Sequence, residues 1–151
     1  MKINTKYFGE VEINSKEVLS FSKGLFGFES EKEFVLMHFD EEDSIYCLQS
    51  LIEPSLAFIV LNPFNLFPQY KPQLSDSELK SLSVSSSTDL FYYVITVLRE
   101  PFHESTVNLK CPIAVNLETK KARQIILENE NYSMRETFIS KEEKEGLSCS
   151  Y

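Results

Sequence analysis

The feature that most narrows the fold is a period of two. Residues 106–117, TVNLKCPIAVNL, set Val107, Leu109, Cys111, Ile113, Val115 and Leu117 on one side of an extended chain, with Asn108, Lys110, Pro112 and Asn116 on the other. That alternation suits a strand with one buried and one wet face. Pro112 has no N–H to give to a ladder. The pattern therefore predicts a strand at a sheet edge, or bulged at Pro112, with Asn108, Lys110, Pro112 and Asn116 turned to solvent.

The same signal recurs along the chain. KINTKYF and EVEIN flank Gly9, which suits a turn or bulge between two short strands; EVLSF, EFVLMHF, SIYCLQS, LAFIVL, LFYYVITVL and RQIILEN follow. Between them, SKGLFGFES, DEED, NPFNLFPQYKPQ, SVSSSTD, REPFHES and ETKKA carry most of the Gly, Pro, Ser and acidic residues. Many short strands divided by turn signals predict an all-β sandwich or barrel, and 151 residues suffice for one such domain with its own core. One segment departs from the pattern. SDSELKSL at 75–82 opens with Ser75 and has Glu78 three residues on, a capping box, with Leu79 and Leu82 as a narrow apolar stripe. It predicts one short helix packed over an open end or edge of the sheet. The last dozen residues, SKEEKEGLSCSY, are charged and then polar, and read as a tail.

Chemistry is sparse. Only His38 and His103 are available as histidines, each beside acidic residues but without a third ligand at a recognisable spacing, so no metal site is expected. There is no GxSxG elbow, and four glycines cannot build a phosphate loop. DEED at 40–43 lacks the alternating ligands and central glycine of a calcium loop and reads as a solvated turn. Cys47, Cys111 and Cys149 are odd in number and far apart, which suggests neither disulfides nor zinc; the first two read as small buried hydrophobes. The expectation is a protein without catalytic activity or cofactor. The longest apolar runs, such as LAFIVL, fall far short of the ~20 residues of a membrane span, and the alternating N-terminus is not a targeting segment, so a cytoplasmic protein is expected.

A net charge of −8 counts against binding to nucleic acid or an anionic membrane, and permits association with a basic protein. Two loops are rich in bulky apolar residues. KGLFGFES gathers Leu25, Phe26 and Phe28 around Gly24 and Gly27, a composition suited to a tight, inward-packed corner, with a partner-binding patch as the alternative. NPFNLFPQYKP holds Phe64, Leu66, Phe67 and Tyr70 among three prolines, and is either a lid over the barrel end or a partner-binding patch with a preset backbone.

In this order the pieces resemble the FliW family of bacterial flagellar assembly factors. The likeness runs through FGEVEI, the F-x-x-GLFGFE corner from Phe21 to Glu29, LQS at 48–50 followed by LAFIV, and NPF…PQY at 62–70. TVNLKCPIAVN, QIIL at 124–127, Tyr132 and Arg135 complete it. The resemblance covers residues 1–138 as one β-barrel-like domain and leaves 139–151 as the tail. It implies a non-catalytic regulator, monomeric when free, that binds the small RNA-binding repressor CsrA, relieves its block on flagellin mRNA, and also binds newly made flagellin in competition. From exposure and chemistry, Phe64, Phe67 and Tyr70 are expected to supply an apolar contact to flagellin. Glu41, Glu42 and Asp43 are expected to repel RNA from a bound repressor. The competing reading, a small nucleic-acid-binding barrel, needs a basic face with interleaved aromatics, for which only Lys110, Lys120, Lys121 and Arg123 near the final hairpin are available.

Overall fold

The structure, a computed structural model, describes residues 1–39, 45–128 and 131–137. The N-terminal hairpin pairs β1 (Lys2–Thr5) with β2 (Gly9–Glu12) through a turn at residues 6–8, with Gly9 opposite Thr5. Five strands follow: β3 (Val18–Phe21), β4 (Glu33–His38), β5 (Ile45–Ser50), β6 (Ala57–Leu61) and β7 (Phe91–Val97). The chain ends through β8 (Thr106–Val107), β9 (Ile113–Asn116), β10 (Lys121–Gln124) and β11 (Glu136–Thr137). Strands β3, β4, β5, β6, β7, β9 and β10 close into a barrel: β7 pairs antiparallel with both β6 and β9, and β10 pairs antiparallel with β9 and parallel with β3. Closure removes the free edges that an open sheet would expose. Beyond the ring, β8 adds to the end of β7 and β11 adds to β8.

Strand periodicity sorts side chains into the barrel interior and its outer wall. Inside lie Leu19 and Phe21, Phe34, Tyr46 and Leu48, Val60, Ile113 and Val115, with Leu36, Phe58, Tyr93 and Ile95 packed against them. Phe21 and Phe34 are fully buried and meet edge to face, ring centres 5.4 Å apart. The outer wall is covered in two sectors. The β1–β2 hairpin lays Ile3 and Ile13 over Val35 and Met37, neighbours on the outer face of β4. On the other side, residues 61–90 and the chain after β10 cover Tyr92, Val94, Val107 and Ala114 with Tyr70, Leu82, Leu90, Ile125 and Leu127. Buried on both faces, strands such as IYCLQS and AFIVL lose the polar half of their alternation and read as nearly continuous apolar runs.

The predicted helix is present as α2 (Asp76–Ser81), and its capping box closes in both directions: Glu78 N–H donates to Ser75 Oγ at 3.3 Å and Ser75 N–H to Glu78 Oε1 at 2.8 Å. A second short helix, α1 (Pro63–Leu66), arises in what the sequence suggests is loop. Its signal was Asn62-Pro63: the Asn62 side chain accepts from Phe64 N–H at 2.9 Å, and proline fits the first helical turn, where its missing N–H goes unused.

Of the two forms expected for the 106–117 segment, the structure takes the bulged one and not the edge. It is two strands, not one: β9 lies within the barrel wall, and β8 lies beyond the ring between β7 and β11. Val107 sits opposite Thr96 and Ile113 opposite Tyr93, so 108–112 bulge out between two anchored ends. Pro112, which cannot continue the ladder, falls in this excursion. Its carbonyl still accepts from Ile125 N–H at 2.9 Å, and the residue is buried, not solvent-facing. Asn116 is also buried, its Nδ2 donating to the Leu82 carbonyl at 2.8 Å, while Leu117 is 38% exposed. Periodicity mis-sorted these residues because the barrel wall has cover on both faces.

Candidate partner-binding surface

The 62–72 loop is built as a folded cap. Phe67 N–H donates to the Pro63 carbonyl at 2.8 Å and Tyr70 N–H to the Phe67 carbonyl at 2.9 Å. Tyr70 turns into the outer core, 5% exposed, where its hydroxyl donates to the Leu109 carbonyl at 2.6 Å and its ring meets Tyr132 edge-on at 4.8 Å. Burial drives its phenol pKa well above the ordinary tyrosine range. Tyr132 in turn accepts from Lys71 N–H at 2.8 Å, stapling the loop to the C-terminal segment. Phe64 stacks between Tyr70 and Tyr92, at 5.8 and 6.0 Å, yet stays 37% exposed beside Leu66 at 41%. The three aromatics expected at a partner contact are thus not equivalent. Phe64 reaches solvent, Phe67 is half-buried against the outer core, and Tyr70 is interior rather than exposed as expected.

The 22–31 corner is tighter still. Leu25 is buried and forms an antiparallel bridge with Phe28, whose N–H donates to the Leu25 carbonyl at 2.8 Å. Gly24 takes φ +64°, and a Cβ there would stand 2.6 Å from the Glu29 backbone, so only glycine closes this turn. The corner is tight as expected, but only Leu25 packs inward; Phe26 and Phe28 remain 46% and 41% exposed.

Three buried amides hold loops against the barrel, one of them the 22–31 corner, and periodicity alone overlooked them. Gln49 accepts from Lys6 N–H at 2.9 Å and aims its Nε2 among the carbonyls of Ser50, Pro54 and Leu56, at 3.1, 3.3 and 3.2 Å. Gln124 accepts from Phe26 N–H at 2.9 Å and donates to the Cys111 carbonyl at 3.3 Å. Asn116, besides its bond to Leu82, accepts from Glu118 and Thr119 N–H. Their signal was a long amide in an otherwise apolar strand, as in CLQS and ARQII.

Glu41, Glu42 and Asp43 lie outside the described residues. Of the basic residues, Lys121 Nζ donates to Ser83 Oγ at 3.0 Å and an Arg123 guanidinium nitrogen to Ser81 Oγ at 3.2 Å, so both lie along the C-terminal end of α2. Lys110 is half-buried in the 108–112 excursion, and Lys120 lines the barrel mouth together with Glu17. His38 lines the same mouth and His103 is exposed. Cys47 and Cys111 are buried, and desolvation pushes the Cys47 thiol up to about 11. Among the described residues no His, Cys, Asp and Glu side chains group as a metal site, and no helix is long and apolar enough to cross a membrane.

Comparison with known proteins gives a consistent result. The FliW protein family matches residues 2–138. A flagellar assembly factor FliW of Oceanobacillus iheyensis is 38% identical over 146 residues, covering 97% of this chain and 99% of the relative. The flagellar assembly factor FliW of Geobacillus thermodenitrificans is 39% identical over 135 residues, covering 89% and 93%. A crystal structure of the flagellar assembly factor FliW superimposes with a TM-score of 0.87 at 37% identity, over 93% of this chain and 99% of the other. The barrel, its two-sector cover and these matches together place the chain in the FliW family.

Proposed function

We propose that the chain is a cytoplasmic, non-catalytic regulator of flagellum assembly that sequesters the repressor CsrA and binds flagellin, so that flagellin export and flagellin translation are coupled. The observation that carries this reading is family membership across residues 2–138. A net charge of −8 supports it, because it suits a basic, RNA-binding partner and opposes direct binding of RNA. A negatively charged protein docked on the repressor excludes RNA by repulsion even without covering the RNA site, and Glu41, Glu42 and Asp43 add to that field. Flagellin meets the exposed edge of the 62–72 cap, with Phe64 in contact and Phe67 and Tyr70 holding it in place.

Isothermal titration of the purified chain with CsrA, and separately with flagellin, tests this directly. A saturable complex with each, and loss of the repressor complex when flagellin is added, is the expected result. No complex with either overturns it. A salt-sensitive RNA gel shift by the chain alone would instead favour a nucleic-acid-binding barrel.

A further inference from the structure

The 22–31 corner faces the 51–56 loop across a cleft of about 480 Å³ lined by Phe28, Leu56 and the acidic residues Glu29, Glu31 and Glu53. Both walls are fixed before anything binds. Leu25 and the Gln124 amide pin the corner, while the Gln49 amide and the Ser50 hydroxyl, which accepts from Ile52 and Glu53 N–H at 3.2 and 3.0 Å, pin the loop. Ser50 Oγ also donates to Glu31 Oε2 at 3.2 Å, tying the walls together. On this rigid frame Phe28 stands 41% exposed at the cleft, and Phe26 and Ile52, next in sequence to the lining residues Gly27 and Glu53, are 46% and 75% exposed. Large apolar groups held in water by a preformed backbone lower the ordering cost of association. No cationic side chain among the described residues lines the cleft. Lys32 is nearby, its ammonium directed at the Ser22 carbonyl at 2.9 Å.

We infer that this cleft docks a cationic, amphipathic segment of a protein partner, with apolar side chains against Phe28 and Leu56 and its Lys or Arg residues against Glu29, Glu31 and Glu53. The inference rests on the reading above that the chain acts by binding proteins, and charge complementarity assigns the site to the basic repressor rather than to flagellin. The 62–72 cap is a different surface, so flagellin displaces the repressor without occupying this cleft.

The test is titration of full-length CsrA, and separately of flagellin, into two folded variants. The first is Phe28→Ala. The second is Glu29→Gln, Glu31→Gln and Glu53→Gln, which keeps a carbonyl acceptor for Gly27 N–H, Ser50 Oγ and Ser55 while removing the charge. The apolar variant should lose about tenfold or more in repressor affinity. The charge variant should bind the repressor with a flatter dependence on salt. Flagellin affinity should stay within about twofold of wild type. Repressor binding unchanged in both variants, with wild type binding well, overturns the cleft alone. Loss of flagellin with the repressor retained overturns the choice of occupant. A wild-type chain that binds no repressor overturns this inference and the proposed function together.

Discussion

Two glycines in one corner separate shape from strain. Gly24 and Gly27 both take positive φ, +64° and +85°, but a Cβ at Gly24 would collide with the Glu29 backbone while one at Gly27 meets nothing within 4 Å. Gly27→Ala should therefore cost only the left-handed backbone term, about 1–2 kcal/mol. Gly24→Ala must also open the turn and should cost at least about 2 kcal/mol more; equal melting temperatures for the two variants would contradict this geometry. Buried phenols make a second prediction. Burial pushes Tyr92 up to about 12 and Tyr70 higher still, so both pKa values lie above the value of about 10 that each phenol takes when unfolded. A group whose folded pKa is raised contributes stability that is complete below pH 10 and is lost as pH climbs toward 12. Tyrosinate absorbance from these two should consequently develop together with loss of the circular dichroism signal. Reversible ionisation near pH 10 with the fold intact would rule it out. At this scale the sequence was legible for the core aliphatics. It was not for Pro112, Asn116 and Tyr70, whose burial depends on segments distant in the chain.

Elements were legible where the signal is local. Ser75 and Glu78 mark α2 because a capping box involves only backbone and side chains three residues apart, and the structure forms both of its hydrogen bonds. Ser75→Ala should cost about 0.5–2 kcal/mol, and Ser75→Asp should restore most of it; urea unfolding of the three proteins decides. Losses confined to α2 in hydrogen exchange would fit a cap, whereas loss across the whole barrel would not. Strands were found wherever alternation or an apolar run was bounded by turn residues. Register was not, because the excursion at 108–112 depends on β7 changing partner from β9 to β8 along its length. The α1 turn was missed for a different reason, since four residues carry no periodicity and only the Asn62-Pro63 cap announced them.

Across the whole molecule, all-β class was readable from many short strands, whereas closure was not. The ring is completed by the parallel contact of β3 with β10, at Lys121↔Ser20 and Ala122↔Phe21, between segments a hundred residues apart that carry no local mark of each other. The same holds for the surfaces: KGLFGFES could be singled out from its composition, but the facing wall with Glu53 and Leu56 comes from 51–56 and meets it only once the barrel folds. Charge acts at this scale too. Reversing Glu41, Glu42 and Asp43 to Lys should weaken displacement of RNA from the repressor more than it weakens repressor binding, and equal losses, or none, would remove the electrostatic account. The most direct measurement of the proposed function follows fluorescently labelled flagellin leader RNA bound to CsrA while the purified chain is added, and then flagellin. The account predicts release of the RNA as the chain saturates the repressor and its rebinding when flagellin is supplied. RNA that stays on the repressor at saturating chain, or that moves onto the chain itself, would contradict it.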